Sequence, residues 1–423
     1  MYEFDRRFLV VYGNFYPFFT GNLYNGIIIL VFGGILMGNN NNLFDNKNYI
    51  HTYLSYMLSN KFTVAYNDYL FFSTKTFPSD SNRSSFIESP NKRAFSTLEY
   101  LHKGKKRMAD FNQFMENTGT TALLIIKNDT ILYENYFNGH KRETPQKLFS
   151  ITKSFISALV GIAIDSGYIR SVDDLVSFYI PELKLKNIRI KHLLQMDAGI
   201  KFKEGHFPWK DEAKVYLYPN ARELALTIVE DTKDTFFHYN DYHLLILGLI
   251  LERTTGKSVT DFFYEKIWSP LGMEFPGFMI LDSEKYSFEK IESGLVMTAI
   301  DLAKFGSLYL KNGEWEGKRI ISQDWIEESV SPKNVLSNSE HFRYYHKHPW
   351  GKMWFSQNKA YYKYLWWGHL NSKTNNDYFA LGALGQVLYI SPENNTLAIR
   401  LGRKWGVMDW WPTILYKLIN STT

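Results

Sequence analysis

The stretch Phe149-Ser150-Ile151-Thr152-Lys153 runs directly into Ser154-Phe155-Ile156-Ser157-Ala158-Leu159-Val160-Gly161-Ile162-Ala163. Phe155, Ile156, Leu159, Val160 and Ala163 recur at helical spacing, which predicts a helix with a buried face that starts at Ser150 and stops at Gly167. A hydroxyl then stands at the helix start and an amine three residues on, both on one face. A serine hydroxyl is a poor nucleophile until a neighbouring base takes its proton, and a lysine desolvated under an apolar helix loses basicity. The helix N-terminus also favours the negative charge that develops during attack. Alone, the string equally fits an N-cap serine followed by an exposed lysine.

Around this helix the pattern alternates. Upstream, Thr121 to Lys127 and Thr130 to Asn138 read as strands joined at Asn128-Asp129, a pair suited to tight-turn backbone angles. Near the end, Gln386 to Ser391 and Thr396 to Gly402 form a second hairpin across the turn-rich Pro392 to Asn395. Leu244 to Arg253, Val259 to Trp268 and Ala299 to Leu310 read as helices, and a last one fits Trp410 to Ile419. Phe95, Leu98, Leu101, Met108, Phe111 and Met115 also fall at roughly helical spacing and predict a helix where the globular unit begins. The two ends supply strands and covering helices and the centre a helical insertion, an α+β arrangement with an antiparallel sheet.

Residues 95–423 therefore read as one catalytic-sized unit. Residues 43–94, rich in Asn, Ser, Tyr and Phe with little period, read as a connecting region. Within 1–42, Arg6 and Arg7 precede an uncharged run whose most apolar part is Gly26 to Met37. That fits a signal-anchor or cleaved signal, with the catalytic unit extracytoplasmic and membrane-associated, or else a buried apolar segment in a cytoplasmic protein. Asn14, Asn22 and Asn25 interrupt the run, and its apolar core is shorter than the roughly 20 residues a spanning helix needs.

Composition narrows the chemistry. The 17% aromatic content favours packed interiors and apolar clefts, and a net charge of +5 falls short of the basic stripe of a nucleic-acid binder. The one dense basic run, Lys103 to Arg107, reads as a solvated helix face or loop. With no cysteine in the chain, a disulfide framework, a thiolate metal site and a cysteine nucleophile are excluded. His341, His346 and His348 lack ligand spacing and read as a surface loop. No metal and no cofactor is expected.

Ser150 and Lys153, followed by Phe237-His238-Tyr239-Asn240-Asp241 and by the stretches His192 to Ile200, Ser293 to Glu316 and Phe379 to Glu393, resemble one family over roughly residues 115 to 420. It is the class C β-lactamase and penicillin-binding-protein family, with its esterase-like and nylon-oligomer-hydrolase-like members. The resemblance implies a β-lactamase/transpeptidase-like fold in which an antiparallel sheet is flanked by terminal helices. It implies Ser150 as nucleophile, Lys153 and Tyr239 as its activating pair, and the backbone amides of Ser150 and Ala383 as the oxyanion site. Gly382 and Gly385 then fit a strand edge that takes substrate, or an ordinary bulge, and Gln386 orients that edge.

Two departures matter. Asp241 stands where relatives often have Asn; beside Lys153 its carboxylate would keep the amine protonated and move the base role to Tyr239, or it simply caps the next helix. The family's Lys-Thr-Gly element aligns with Ala380-Leu381-Gly382, so the cation that meets a substrate carboxylate is missing. Hydrolysis of a small ester, amide or peptide-like substrate therefore ranks above β-lactam hydrolysis or D-alanyl-D-alanine cleavage, with a non-catalytic binding or scaffold protein as the third reading. The aromatic run Tyr361 to Trp367 either walls the cleft or fills the core, and His238 and His369 are candidate replacements for lost polar groups.

Overall fold

The structure, a computed structural model, describes residues 47–421 apart from 61–62, 81–84, 232–235, 334–340, 344, 346–359 and 371–375. The uncharged N-terminal run, and with it the expected anchor, lies outside the described residues, as do His346 and His348. Among the described residues no helix is long and apolar enough to cross a membrane.

The chain opens with helix α1 (Lys47–Ser59), a 3₁₀ turn at Asp68–Phe71 and strand β1 (Thr74–Phe77), and then β2 (Ile87–Glu88). The helix expected from Phe95 to Met115 does not form. Its place is taken by a hairpin, β3 (Thr97–His102) and β4 (Lys105–Asp110), and only then by a short helix α2 (Phe111–Asn117). The deciding residues are Lys103 and Gly104, which turn the chain at φ 51° and 72°. A glycine there disfavours a continuous helix and suits a two-residue hairpin loop. Leu98 is buried while Met108 is exposed, so the apolar spacing that suggested one helical face is split between a strand and a helix. Asp110 stops the hairpin by accepting a hydrogen bond from the Gln113 amide at 2.9 Å, which caps α2.

Strands β5 (Thr120–Lys127) and β6 (Thr130–Tyr136) pair around Asn128 and Asp129, both at positive φ as a primed turn requires. The two-residue β7 (Gln146–Lys147) leads through a 3₁₀ turn, Phe149–Ile151, into α3 (Thr152–Asp165). The helical insertion follows as α4 (Val176–Tyr179), α5 (Ile190–Gln195), α6 (Asp211–Leu217), α7 (Ala221–Leu226), α8 (Tyr242–Thr255) and α9 (Val259–Phe263), the last continuing into a π turn at Tyr264–Trp268. Then come β8 (Gly277–Ile280), β9 (Leu295–Met297), α10 (Ala299–Leu310), the small hairpin β10 (Glu314–Trp315) and β11 (Lys318–Arg319), and α11 (Gln323–Val330). The chain closes with β12 (Ala360–Lys363), β13 (Trp366–Leu370), β14 (Asn376–Gly382), β15 (Gln386–Ser391), β16 (Thr396–Gly402) and α12 (Trp411–Asn420).

Two sheets organise these elements. The larger runs β12-β13-β14-β15-β16-β5-β6-β2 and is antiparallel except where β2 meets β6, so strands from both ends of the chain lie side by side at β16 and β5. Because side chains alternate along a strand, Leu397 and Arg400 of β16 face opposite ways. Leu397 packs near Gly306 of α10, and Arg400 stacks on Trp411 of α12 with its guanidinium carbon 4.3 Å from the ring centroid. The sheet is thus covered on both faces. The smaller sheet, β1-β8-β9-β7, ends on the strand that delivers Ser150.

Gly161, in the middle of α3, shows how tightly α11 is seated. A Cβ there would lie 2.4 Å from ring atoms of Trp325, whose indole is also stacked on Tyr364. Gly→Ala in a helix interior normally gains about 1 kcal/mol. Here displacement of the indole outweighs it, and Gly161→Ala should lower stability by about 1–3 kcal/mol in urea denaturation.

Candidate active site

Ser150 sits in the tight turn between β7 and α3. Phe149, immediately before it, holds φ 52°, a left-handed conformation that a bulky residue adopts only under constraint. One helical turn on, Lys153 is 1% exposed and its ammonium has three neighbouring acceptors. It donates to the Ser150 hydroxyl at 2.9 Å and to the Glu292 carbonyl at 2.7 Å, and it pairs with the Asp241 carboxylate at 2.8 Å. The expected alternative, an exposed lysine behind an N-cap, is not what forms. Two of these contacts are hydrogen bonds and the third is an ion pair.

Burial alone would push the Lys153 ammonium toward losing its proton, but the Asp241 carboxylate, with Tyr239, outweighs it and holds the pKa above the ordinary lysine value. Asp241 stands at the N-cap position of α8 and makes no side-chain cap there, so its carboxylate serves Lys153 rather than the helix. The Tyr239 ring lies with its centroid 5.1 Å from the Lys153 ammonium. Burial raises the Tyr239 phenol; the Lys153 charge and hydrogen bonding with Ser150 and Lys153 pull it back without cancelling the rise.

Tyr239 is held from two sides. Trp367 stacks on it with centroids 5.5 Å apart and planes 29° from parallel, and the Tyr345 hydroxyl accepts from its backbone amide at 2.9 Å. The aromatic run thus divides by alternation along the β12–β13 hairpin. Trp367 and Tyr362 pack on Tyr239, whereas Tyr361 turns away to donate to the Val330 carbonyl and Trp366 packs under Tyr309 and Tyr378. His238 meets Glu204 at 3.3 Å, and His369 lies on β13 opposite Ala360 and Asp377. His341, expected on a surface loop, is buried against Phe237. Residues drawn close by the helical insertion carried no local signal that a single chain could show.

The opposite wall is the end of β14. Pairing with β13 reaches only as far as Trp367 opposite Phe379, so Ala380 to Gly382 are paired on one side, to β15. A Cβ on Gly382 would lie 2.3 Å from the Leu148 carbonyl oxygen, so only glycine allows this strand end to press against the turn that carries Ser150. Ala383, Leu384 and Gly385 then turn the chain, the last two at positive φ, and Gly385 packs on Arg400 and Trp411. Ala380, at the position of the missing lysine, is buried.

Gln386 bonds this turn directly, and two residues that the sequence reading passed over, Gln146 and Arg400, stand behind it. Its amide donates to the carbonyls of Ala383 (3.1 Å) and Gly402 (2.7 Å) and accepts from the Gly402 amide (2.8 Å) and from Gln146 Nε2 (2.8 Å). Gln146 lies four residues before Ser150, so one side-chain pair ties the two walls together. Behind them Arg400 spends its guanidinium on Thr120 Oγ1 and on the carbonyls of Leu384, Gly385, Thr118 and Lys404. The available signal was a polar residue inside an otherwise apolar strand, as at Arg400 in Thr396 to Gly402.

The family model described as Beta-lactamase matches residues 109–408. The chain belongs to the beta-lactamase family, among the β-lactamase-related serine hydrolases. It is 24% identical over 310 residues to the 6-aminohexanoate-dimer hydrolase of Paenarthrobacter ureafaciens, covering 70% of this chain and 75% of that one. It is 29% identical over 166 residues to the teichoic acid D-alanine hydrolase of Staphylococcus aureus, a match spanning 37% of this chain and 39% of that protein. Among solved structures, a Bacillus anthracis protein provisionally assigned as a 6-aminohexanoate-dimer hydrolase superposes with a TM-score of 0.65 at 21% identity, covering 90% and 94% of the two chains. The penicillin-binding protein of Bacillus halodurans superposes with a TM-score of 0.54 at 14% identity, covering 73% and 98%. Both share the fold seen here.

The Gln146–Gln386 tie is testable by stability. Gln386→Leu strands the buried Gly402 amide and should cost about 1–3 kcal/mol in urea denaturation. Adding Gln146→Leu should cost less than the sum of the two single changes, with a coupling of about 0.5–3 kcal/mol.

Proposed function

We propose that the protein hydrolyses a small ester or amide through an acyl-enzyme on Ser150. The observation that carries this reading is the short contact from the Lys153 ammonium to the Ser150 hydroxyl, with the Tyr239 ring centroid 5.1 Å from the same ammonium. With two hydrogen bonds made and its charge held by Asp241, Lys153 acts as a fixed cation. The base is then Tyr239, competent once the Tyr239–Lys153 pair has lost one proton. Tyr239 takes the Ser150 proton as Oγ attacks the carbonyl carbon, and the backbone amides of Ser150 and Ala383 receive the oxyanion. It returns the proton to the departing oxygen or nitrogen. A water, deprotonated by Tyr239, releases the acyl group and restores Ser150.

Substrate charge follows from the walls. A buried Ala380 offers no cation to a carboxylate, while Asp241 and the carboxyls of Glu204 and Glu212 lie on the Tyr239 side, so a neutral or amine-bearing acyl group suits the cleft better than an anionic one. Hydrolase relatives named for an aminohexanoate dimer and for teichoic acid D-alanine support this ranking over β-lactams.

Intact-mass analysis after a fluorophosphonate probe tests the reading. The protein should gain one adduct, folded Ser150→Ala none, and Tyr239→Phe should label at least about 100-fold more slowly. No adduct on the folded natural protein sinks the proposal. A pH profile tests the division of labour. The Asp241 charge raises both Lys153 and Tyr239, so removing it lowers both. In Asp241→Asn the acidic limb of kcat/KM should therefore move to lower pH.

A further inference from the structure

The nucleophile turn is braced by chain outside the family match, which begins at residue 109. Asp68, in the 3₁₀ turn after α1, is 2% exposed, and Lys147, three residues before Ser150, is fully buried. The Asp68 carboxylate accepts from the Lys147 ammonium at 2.8 Å and from the Tyr56 hydroxyl of α1 at 2.8 Å, and the Tyr216 hydroxyl of α6 also bonds it. Tyr216 reaches Lys147 as well. Three distant parts of the chain therefore meet on one carboxylate: the N-terminal segment, the helical insertion and the strand that ends in the nucleophile turn.

What Lys147 does next connects this cluster to the chemistry. Its ammonium lies 4.7 Å from the ring centroid of Phe149, a cation over a π face. Phe149 is the residue held at φ 52°. A left-handed bulky residue relaxes unless its surroundings hold it, and relaxation at Phe149 rotates the next residue, Ser150. Strand β7 is short: its ladder is Gln146 opposite Met297 and Lys147 opposite Val296, continued by the Leu148 amide, which donates to the Leu295 carbonyl at 2.9 Å. A second buried ammonium, Lys290, lies beside the same aromatic groups, 5.3 Å from the Phe72 ring and bonded to the Tyr216 carbonyl at 2.7 Å. Without the Asp68 charge, the buried Lys147 ammonium would lose its carboxylate partner, while the neighbouring Lys290 amine still feels the Glu292 and Asp282 carboxylates. The same segment adds β1 to the sheet that carries β7, and α1 grips the approach to α6 through Tyr49 and Tyr53, which donate to the Pro208 and His206 carbonyls.

We infer that residues 47–77 are a built-in brace of the active site, and that Asp68 is a positioning residue which orients Ser150 through Lys147 and Phe149. The inference rests on Ser150 being the nucleophile.

The test uses the full chain, with fluorophosphonate labelling rate and steady-state ester hydrolysis measured well below each variant's melting transition. Asp68→Asn keeps shape and removes charge. It should label about 10–100-fold more slowly than the natural protein, with kcat falling in parallel and KM within about threefold. Lys147→Met should do the same, and the double variant should be no slower than the slower single, because the two act in one line. Tyr216→Phe, a milder change that loses a hydroxyl bonded to both partners, should label at least about threefold more slowly and decides the matter should Asp68→Asn fail to fold. A folded Asp68→Asn, or in its absence a folded Tyr216→Phe, that merely melts at lower temperature while labelling at the natural rate overturns the brace and leaves Ser150 intact. A natural protein that neither labels nor turns over ester overturns the reading of Ser150 and the brace with it.

Discussion

A charged lysine without solvent is the constraint around which the site is built. An isolated ammonium at the depth of Lys153 would cost several kcal/mol, and removing one partner from a buried ion pair typically costs 3–5 kcal/mol. The fold must therefore bring acceptors from three places: Ser150 from the turn before α3, the Glu292 carbonyl from the approach to β9, and Asp241 from the start of α8. Those three elements cannot shift independently without unpairing a buried charge. The magnitude also explains why α8 starts uncapped. A side-chain cap is worth about 1 kcal/mol, less than the pairing Asp241 provides where it is.

The same charge decides where protons can go. With its pKa held up, Lys153 would, on the mechanism proposed above, supply potential rather than basicity and leave the phenol beside it as the titrating partner. A phenol works in that role only if its position is fixed to within a hydrogen bond. Trp367, Tyr362 and the Tyr345 hydroxyl fix it, from a hairpin and a loop far away in sequence. Stacked rings contribute about 0.5–1.5 kcal/mol each beyond their burial, enough to hold one rotamer without freezing the backbone.

How much of this could be read from the chain follows the range of each interaction. The hairpin at Asn128-Asp129, the helix from Ala299 to Leu310 and the paired strands at Gln386 to Gly402 were legible because turn chemistry and periodicity are local. Ser150 and Lys153 were legible for the same reason, being one helical turn apart. The helix expected at Phe95 to Met115 failed because six apolar residues at suggestive spacing outvoted a single Gly104, and the turn was the stronger physical fact. Gln146 and Asp68 were invisible because nothing near them in sequence shows a polar group's partner; Arg400 stood out only as a polar residue in an apolar strand, and its partner Thr118 lies some 282 positions away. Asp68 lies in a stretch without periodicity, where a 3₁₀ turn and a buried carboxylate leave no pattern to find.

Arg400 also bears on what the cleft can bind. It is the cation behind the 383–385 turn, and it could be mistaken for a substitute for the lysine absent at Ala380. Geometry forbids that. A guanidinium has five N–H groups, and the five acceptors around Arg400 use all of them, none being a carboxylate. Its side chain is fully buried, and burial pushes its pKa down to about 9. Such a charge cannot turn outward to meet a substrate anion without abandoning the carbonyls of Leu384 and Gly385, which define the turn beside Ser150. Its contribution is the shape of that turn, through the carbonyls of Leu384 and Gly385.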